Sequence, residues 1–188
     1  MPSPASPLVL GDPAPAFALP AVTDGTTVTL GDLDADVLVV VFLCRHCPYV
    51  VHVQDALAAI ATEYQRTGRV AFVGIAANDA DAYPDDAPDS LAEQQREVGF
   101  PFPYLFDATQ DVAKAYGAAC TPDPFVFDAD RRLAYRGRID ATRPGGDAPT
   151  GADLRAALDA LLAGERPDAD QWPPMGCSIK WRPGNAPA

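Results

Sequence analysis

The chain has 188 residues, and its 14 Lys and Arg against 26 Asp and Glu leave a formal net charge of −12. A surface this acidic repels a phosphate backbone, which excludes nucleic acid as an expected partner. The longest apolar run, Val37 to Leu43, has the length of a strand and falls far short of the roughly 20 residues that a membrane-spanning helix needs.

The first residues lack the cationic and apolar segments of a secretory signal, so we expect a cytoplasmic protein with no membrane partner. The four cysteines are too few for a disulfide-stabilised scaffold. In that compartment a Cys-x-x-Cys pair indicates redox or metal chemistry. We expect no cofactor beyond the cysteines themselves.

The first predicted elements are a short hairpin and a buried strand. Residues 26–30 follow a turn at Asp24-Gly25 and favour a strand that pairs with the segment around Phe17. Val37 to Leu43 is a continuous, mostly β-branched run, typical of a strand buried on both faces of a sheet. This strand ends at Cys44.

An amphipathic helix and a second buried strand follow. Between Pro48 and about Arg66 the apolar residues recur every three or four positions, which predicts a helix with one buried face. Residues 70–76 form another apolar run and therefore a second strand. The order strand, helix, strand implies a parallel crossover.

The second half of the chain predicts helices at about 88–98 and 109–116, a hairpin of 124–128 with 133–139, and a last helix at 152–163. We expect one domain over residues 1–165, including an N-terminal extension, and a Pro- and Gly-rich tail over residues 166–188 that packs on it. The four carboxylates of residues 79, 81, 85 and 86 are interpreted as a charge run that solvates a loop.

Cys44-Arg45-His46-Cys47 stands where the first buried strand passes into the helix. Residues three apart in the first helical turn lie close enough for a disulfide. Free N–H groups at the helix start favour a Cys44 thiolate, and positive charge on Arg45 and His46 is expected to lower the pKa of Cys44 further. Cys44 is therefore the predicted attacking thiol, and Cys47, one turn inside the helix, the resolving thiol.

Thr121-Pro122 directly precedes a predicted strand, and a proline there can be cis or trans. With a cis bond, the unpaired backbone beside Pro122 could hold an extended substrate against Cys44. Cys120 would then lie near the site as well. Cys120 and Cys177 are candidate auxiliary thiols, which either pair with each other or are unconnected.

These elements in this order resemble the thioredoxin fold. Gly11 to Leu19, Asp24-Gly25 and Leu30 to Leu33 are in addition similar to the N-terminal extension of the redoxin branch, which includes alkyl hydroperoxide reductases, peroxiredoxins and thiol-disulfide oxidoreductases. The resemblance covers about residues 8–163. It implies an α/β fold with an N-terminal β-hairpin, a central mixed sheet flanked by helices, and an irregular C-terminal tail.

The resemblance also implies roles for single residues. Cys44 becomes the attacking cysteine, Cys47 the resolving cysteine, and Pro122 a cis-proline that faces them. Two departures from the family patterns are visible: Leu38 stands where thioredoxins carry a buried Asp, and neither cysteine of the motif is preceded by the Pro-x-x-x-Thr/Ser-x-x pattern of peroxiredoxins.

The sequence thus predicts a thiol-disulfide oxidoreductase whose Cys-x-x-Cys exchanges electrons with a protein or small-molecule thiol substrate. A thioredoxin- or glutathione-type donor is the expected second partner. One alternative is a thiol-dependent peroxidase with an antioxidant role. Another is a carrier that binds Zn²⁺ or Cu(I) through Cys44, Cys47 and His46.

Overall fold

A five-stranded mixed sheet forms the centre of the molecule in the computed structural model, which describes residues 8–187. Predictions that fall on residues 1–7 lie outside the described part. The strands are β1 (Ala18–Pro20), β2 (Thr27–Thr29), β3 (Val37–Phe42), β4 (Val70–Ala76), β5 (Tyr104–Phe106), β6 (Cys120–Thr121), β7 (Asp123–Phe127), β8 (Leu133–Arg136) and β9 (Cys177–Ser178). The helices are α1 (Pro48–Gln65), α2 (Pro88–Val98), α3 (Asp111–Tyr116) and α4 (Ala152–Leu162), with short 3₁₀ turns at Leu30–Asp32 and Pro84–Asp86.

The central sheet has the order β5-β4-β3-β7-β8. Strands β3, β4 and β5 are parallel, whereas β7 runs antiparallel to both β3 and β8. The predicted parallel crossover, the mixed sheet and the two hairpins are therefore confirmed. The predicted hairpin strand at 133–139 is shorter than expected and ends at Arg136.

Strand β3 is buried along its whole length. Because successive side chains of a strand point to opposite faces, Val37, Val39 and Val41 pack on one side with apolar residues of α1, α2 and α4. Leu38 and Val40 pack on the other side with α3 and the N-terminal hairpin. The continuous β-branched run is thus explained by helices or hairpin packed on both faces of the sheet.

Three short strands have no counterpart among the predictions: β5, β6 and β9. Each has two or three residues, which is too few for any periodicity to show. The strand pair β6–β9 joins the start of the second hairpin to the C-terminal tail. Among residues 8–187, no helix combines the length and apolarity needed to cross a bilayer.

One edge of the sheet collects the segments that carry the predicted chemistry. Strands β3 and β4 are parallel, so the loops that follow them, residues 43–47 and 77–87, leave the sheet at the same edge. Phe42 at the end of β3 pairs with Asp123 at the start of β7. That pairing brings Thr121 and Pro122 to this edge as well.

Candidate active site

The Cys-x-x-Cys segment is a buried loop between β3 and α1. Cys44 and Cys47 are each 0% exposed, and both are free thiols. Helix α1 begins at Pro48, so Cys47 is the residue before the helix, with φ −74° and ψ 122°. The expectation that Cys47 lies one turn inside the helix is therefore wrong. The reason is local: a residue before proline avoids helical geometry, whereas proline suits the first helical position.

Thr121 contacts both thiols of the motif. Its Oγ1 lies 3.0 Å from the Cys44 Sγ, and the Cys47 thiol donates to its carbonyl oxygen at 3.1 Å. The Thr121-Pro122 peptide bond is cis, as the family resemblance implies. The structure thus brings together Cys44, Cys47, Thr121 and Pro122, four of the predicted site residues.

A buried carboxylate, Asp86, holds the loop between the two cysteines. Asp86 is 0% exposed, and its Oδ1 accepts hydrogen bonds from the backbone N–H of Arg45 at 2.7 Å and of His46 at 3.4 Å. Its Oδ2 bonds the His46 ring Nδ1 at 2.5 Å and the Asn78 amide at 2.7 Å. The interpretation of Asp86 as part of a solvated charge run is therefore wrong.

Sequence reasoning missed Asp86 because a carboxylate in a polar loop is usually solvated. One available signal was its place in the loop after β4, since parallel neighbouring strands send their following loops to one edge. Leu38, where thioredoxins carry a buried Asp, is fully buried among apolar residues. The buried carboxylate of this site therefore comes from a different segment of the chain.

The side chains of Arg45 and His46 form hydrogen bonds with residues outside the motif. The Arg45 guanidinium bonds the Ser90 carbonyl at 2.6 Å and pairs with Glu93 at 2.7 Å, both on α2. The His46 ring stacks on Tyr83 with centroids 5.4 Å apart and bonds Asp86. Both residues therefore anchor the loop, and the charge of Arg45 is compensated by Glu93.

The two thiols share one ionisable proton. A hydrogen bond to Cys47, then burial and the negative charge of Asp86, raise the pKa of Cys44. The pKa of Cys47 is lowered, chiefly because the Cys44 thiol donates to its sulfur. The prediction that the pKa of Cys44 is lowered is therefore wrong for the reduced protein. Such pairs titrate as a unit, so the pair carries one negative charge, which lies on Cys47 when the proton is on Cys44.

The contacts of Thr121 also support the alternative location of that charge. If the proton moves to Cys47, that thiol donates to the Thr121 carbonyl, and the Thr121 hydroxyl donates to an ionised Cys44. Hydrogen bonding to the charged form stabilises it. A single proton transfer between the two sulfurs therefore converts Cys44 into the nucleophile.

We expect the pair to carry one thiolate at neutral pH, because the lowered pKa of Cys47 lies below the ordinary thiol range. The thiolate absorbance in the ultraviolet is then lost as pH falls through that pKa. Cys44→Ala removes the donor and raises the pKa of Cys47, so the neutral-pH absorbance disappears. Cys120→Ser retains it, since burial raises the pKa of Cys120 to about 12. An unchanged absorbance in Cys44→Ala contradicts the shared proton.

The C-terminal tail covers this edge through the β6–β9 pair. Thr121 pairs with Cys177, and Cys120 pairs with Ser178. Neighbouring residues of a strand point to opposite faces, so Cys120 and Cys177 point away from each other. The structure does not bring these two auxiliary candidates together. It brings Cys177 to Cys47, whose side chain it contacts, while the Cys120 thiol lies 3.7 Å from the Pro122 carbonyl.

Gly176 allows the tail to approach the cis-proline segment. A Cβ at this position would lie 2.0 Å from the Thr121 carbonyl oxygen and 2.5 Å from its carbon. These are backbone atoms of a buried residue, so they cannot move aside as a side-chain end can. The unpaired edge that was expected to receive a substrate is therefore occupied by the protein's own tail.

A Gly176→Ala substitution is expected to loosen β9 from β6. The overlap corresponds to strain of about 2 kcal/mol, which favours a detached tail. We expect alkylation of the Cys44-Cys47 pair to accelerate at least about tenfold, because local opening governs access to buried groups. Gly31→Ala is the matched control, since its Cβ would meet only Thr29 Oγ1 at 3.7 Å. Equal alkylation rates in both variants would contradict the tight approach.

The same cluster offers three ligand types for a metal ion. Ligand atoms of Cys44, His46 and Asp86 lie within 4.8 Å of one another. The set differs from the predicted Cys44, Cys47 and His46, because the Cys47 sulfur lies against the Thr121 carbonyl. Both Asp86 oxygens already accept hydrogen bonds from protein donors. Metal binding would have to displace part of that network.

Comparison with known proteins identifies the family. The AhpC/TSA family pattern matches residues 10–136. The chain belongs to the AhpC/TSA family. No curated protein matches it. It is similar to a solved structure of an uncharacterized conserved protein from Geobacillus kaustophilus, at 50% identity over 94% of each chain with a TM-score of 0.90.

Two further solved structures extend the comparison. A hypothetical protein from Sinorhizobium meliloti 1021 is 46% identical over 95% of this chain and 98% of its own, with a TM-score of 0.91. A thiol:disulfide interchange protein of the thioredoxin family from Chlorobium tepidum is 20% identical over 82% of this chain and 99% of its own, with a TM-score of 0.62. The fold is thus thioredoxin-like, and the predicted redoxin branch is confirmed.

The AhpC/TSA match includes most of the site but leaves out the tail. Cys44, Cys47, Asp86, Thr121 and Pro122 all lie within residues 10–136, whereas Cys177 lies beyond them. Membership of the AhpC/TSA family makes the protein a redoxin-type thiol oxidoreductase. The AhpC/TSA match therefore carries no information on Cys177.

Proposed function

We propose that this AhpC/TSA protein is a thiol-disulfide oxidoreductase that exchanges the Cys44-Cys47 dithiol and disulfide with protein or small-molecule substrates. The observation that carries the proposal is the contact of both thiols with one residue, Thr121, beside a cis-proline. The two sulfurs also share a hydrogen bond with each other. This arrangement suits a dithiol that alternates between two oxidation states.

Cys44 acts first in the proposed reaction. Its proton passes to the Cys47 thiolate, and the Cys44 sulfur attacks one sulfur of a substrate disulfide. The substrate S–S bond breaks as the Cys44–substrate bond forms, and the departing substrate thiolate takes up a proton.

Cys47 then loses its proton and attacks the Cys44 sulfur. The Cys44–Cys47 disulfide forms, and the second substrate thiol is released. The substrate has gained two electrons from the enzyme and two protons, one from the enzyme's thiol pair and one from solvent. A thiol donor of the thioredoxin or glutathione class returns the enzyme to the dithiol state, and the reverse sequence oxidises a dithiol substrate.

The proposal is tested by offering the reduced protein two kinds of oxidant. We expect it to reduce insulin disulfides and oxidised glutathione, with dithiothreitol as the donor, and to react more slowly with hydrogen peroxide and an organic hydroperoxide. Rapid peroxide consumption without disulfide reduction would overturn the proposal in favour of a peroxidase. A stoichiometric metal ion in the purified protein would favour a metal carrier.

Two observations favour the peroxidase as the second candidate. The chain belongs to the AhpC/TSA family, and the redoxin branch that it resembles includes peroxide reductases. A threonine hydroxyl also lies 3.0 Å from the Cys44 sulfur. Two others oppose it. The Arg45 guanidinium is bonded to α2, and Asp86 raises the pKa of Cys44. A fast peroxidatic thiol needs a thiolate with a nearby cation, so disulfide exchange is the better supported function.

A further inference from the structure

A third thiol stands beside the Cys-x-x-Cys pair. Cys177 is paired directly with Thr121 across β6–β9, and residues opposed in this way have Cβ atoms about 4.5–5.5 Å apart and share a face. The Thr121 hydroxyl contacts the Cys44 sulfur on that face, and the Thr121 backbone carbonyl accepts a hydrogen bond from the Cys47 thiol. Cys177 also packs against the apolar cluster that contains both of them.

The three thiols differ in their access to solvent. Cys44 and Cys47 are each 0% exposed, whereas Cys177 is partly exposed. Any partner of the Cys44–Cys47 pair, substrate or donor, has to reach a sulfur with no exposed surface, because the tail packs over this segment through Gly176. A disulfide that includes Cys177 presents one sulfur at the surface. The position of Cys177 therefore connects the buried pair with the solvent.

We propose that Cys177 is a third redox-active thiol, which takes over the disulfide from Cys44 and presents it to the external donor as a Cys47–Cys177 bond. The proposal rests on the proposed disulfide-exchange function, and it identifies Cys177 as the residue that the donor attacks. It replaces the sequence-based hypothesis of a Cys120–Cys177 pair, because the strand register turns Cys177 away from Cys120 and the Cys177 side chain contacts that of Cys47.

The exchange needs no oxidant beyond the substrate disulfide already reduced. Cys177 loses its proton and attacks the Cys47 sulfur of the Cys44–Cys47 bond. The Cys47–Cys177 bond forms as the Cys44–Cys47 bond breaks, and Cys44 leaves with the bonding electron pair and takes up a proton. The number of disulfides and free thiols in the protein is unchanged.

An external thiol then attacks the Cys177 sulfur. The Cys47–Cys177 bond breaks, and Cys47 leaves as a thiolate, the form that its low pKa favours in this structure. A thiol of low pKa is the better leaving group in such exchanges. A second donor thiol attacks the mixed disulfide, releases Cys177 and departs as the oxidised donor. All three protein thiols are then reduced.

The first test is disulfide mapping in Cys44→Ser, which leaves Cys47 and Cys177 to react with each other. One equivalent of oxidised glutathione is added, free thiols are blocked in acid, and the digest is analysed by mass spectrometry without reduction. We expect a Cys47–Cys177 linked peptide and no retained glutathione. A Cys47 that stays glutathionylated while Cys177 remains free would overturn the proposal. Adding Cys177→Ser should produce that outcome and serves as the control.

The second test separates substrate reduction from recovery of the enzyme. In Cys177→Ser we expect the reduced protein to attack oxidised glutathione at the wild-type rate in a single turnover. Re-reduction of its disulfide by glutathione should slow at least about tenfold, because the donor loses the partly exposed Cys177 sulfur as its point of attack. Ser178→Ala perturbs the same strand without touching a thiol and should recover at the wild-type rate. A loss in both half-reactions would indicate a structural effect and contradict the proposal.

The outcomes distinguish the third thiol from the proposed function. If wild-type protein and Cys177→Ser reduce disulfides and recover equally fast, Cys177 takes no part and the disulfide-exchange function stands. If the wild-type protein exchanges no disulfide at all, that function itself fails.

Discussion

Cys44→Ser combined with Cys177→Ser is expected to lower the rate of insulin-disulfide reduction by about a thousandfold or more, since neither the attacking thiol nor the third thiol that could form a disulfide with Cys47 remains. The physical reason is that serine cannot form the mixed disulfide through which the proposed reaction passes. The fold should persist, because serine fits the space of Cys44 and can still bond the Thr121 hydroxyl, which lies 3.0 Å from the sulfur. The measurement is the initial rate of insulin reduction with dithiothreitol as donor. Cys120→Ser is the control, because Cys120 points to the opposite face of β6 from Thr121.

The order of events is tested by trapping the intermediate. In Cys47→Ser combined with Cys177→Ser no neighbouring thiol can resolve a mixed disulfide, so we expect Cys44 to retain one substrate molecule. Mass spectrometry of the intact protein and its peptides locates the adduct. If the adduct instead accumulates on Cys47 in Cys44→Ser combined with Cys177→Ser, and Cys44 forms none, the two cysteines have the reverse roles.

Asp86→Ala should lower the free energy of unfolding by about 3 kcal/mol, since the variant leaves several buried donors without a partner. The backbone N–H groups of Arg45 and His46 and the Asn78 amide all lose their acceptor. Urea denaturation followed by circular dichroism measures the change. Asp85→Ala is the matched control, because Asp85 is exposed and surface substitutions usually stay within about 0.5 kcal/mol. Equal midpoints would contradict the role of Asp86 as the anchor of the loop.

Asp86→Asn separates the effect of the negative charge of Asp86 from the effect of its size. The amide keeps the size of the carboxylate but removes the negative charge that contributes to the raised pKa of Cys44. We therefore expect the pKa of Cys44 to fall, and the pH dependence of its alkylation to move to lower pH. The readout is the rate of carbamidomethylation at Cys44, quantified by peptide mass spectrometry. An unchanged profile would mean that burial and the contact with Cys47 control the pKa of Cys44.

Several elements can be predicted from local sequence, because a strand or helix with a buried face needs apolar residues at regular intervals. Strand β4 and helix α2 have the predicted bounds, Val70–Ala76 and Pro88–Val98. Strand β3 ends one residue before the predicted Leu43, at the point where the loop of the site begins. Helix α3 begins two residues later than predicted, because Gln110 takes a left-handed backbone conformation with φ 65° before it.

The candidate site also has a part that the sequence predicts and a part that it does not. The sequence by itself determined Cys44 and Cys47 at the strand–helix junction and, through the family resemblance, the cis bond at Pro122, since these depend on residue type and on order along the chain. Only the tertiary structure decided that Asp86 is a buried anchor and that Cys177 contacts Cys47. Their partners are 40 and more than 100 residues away in sequence, and no local pattern encodes a contact made through parallel strands or a returning tail.

The location of the negative charge was likewise decided by tertiary contacts. Residue types alone favour a thiolate at Cys44 because Arg45 and His46 are its neighbours in sequence. In the folded protein Arg45 is paired with Glu93, the His46 ring is bonded to Asp86, and the carboxylate of Asp86 lies near the Cys44 sulfur. Electrostatic energies depend on distance and burial in three dimensions, which sequence proximity does not determine.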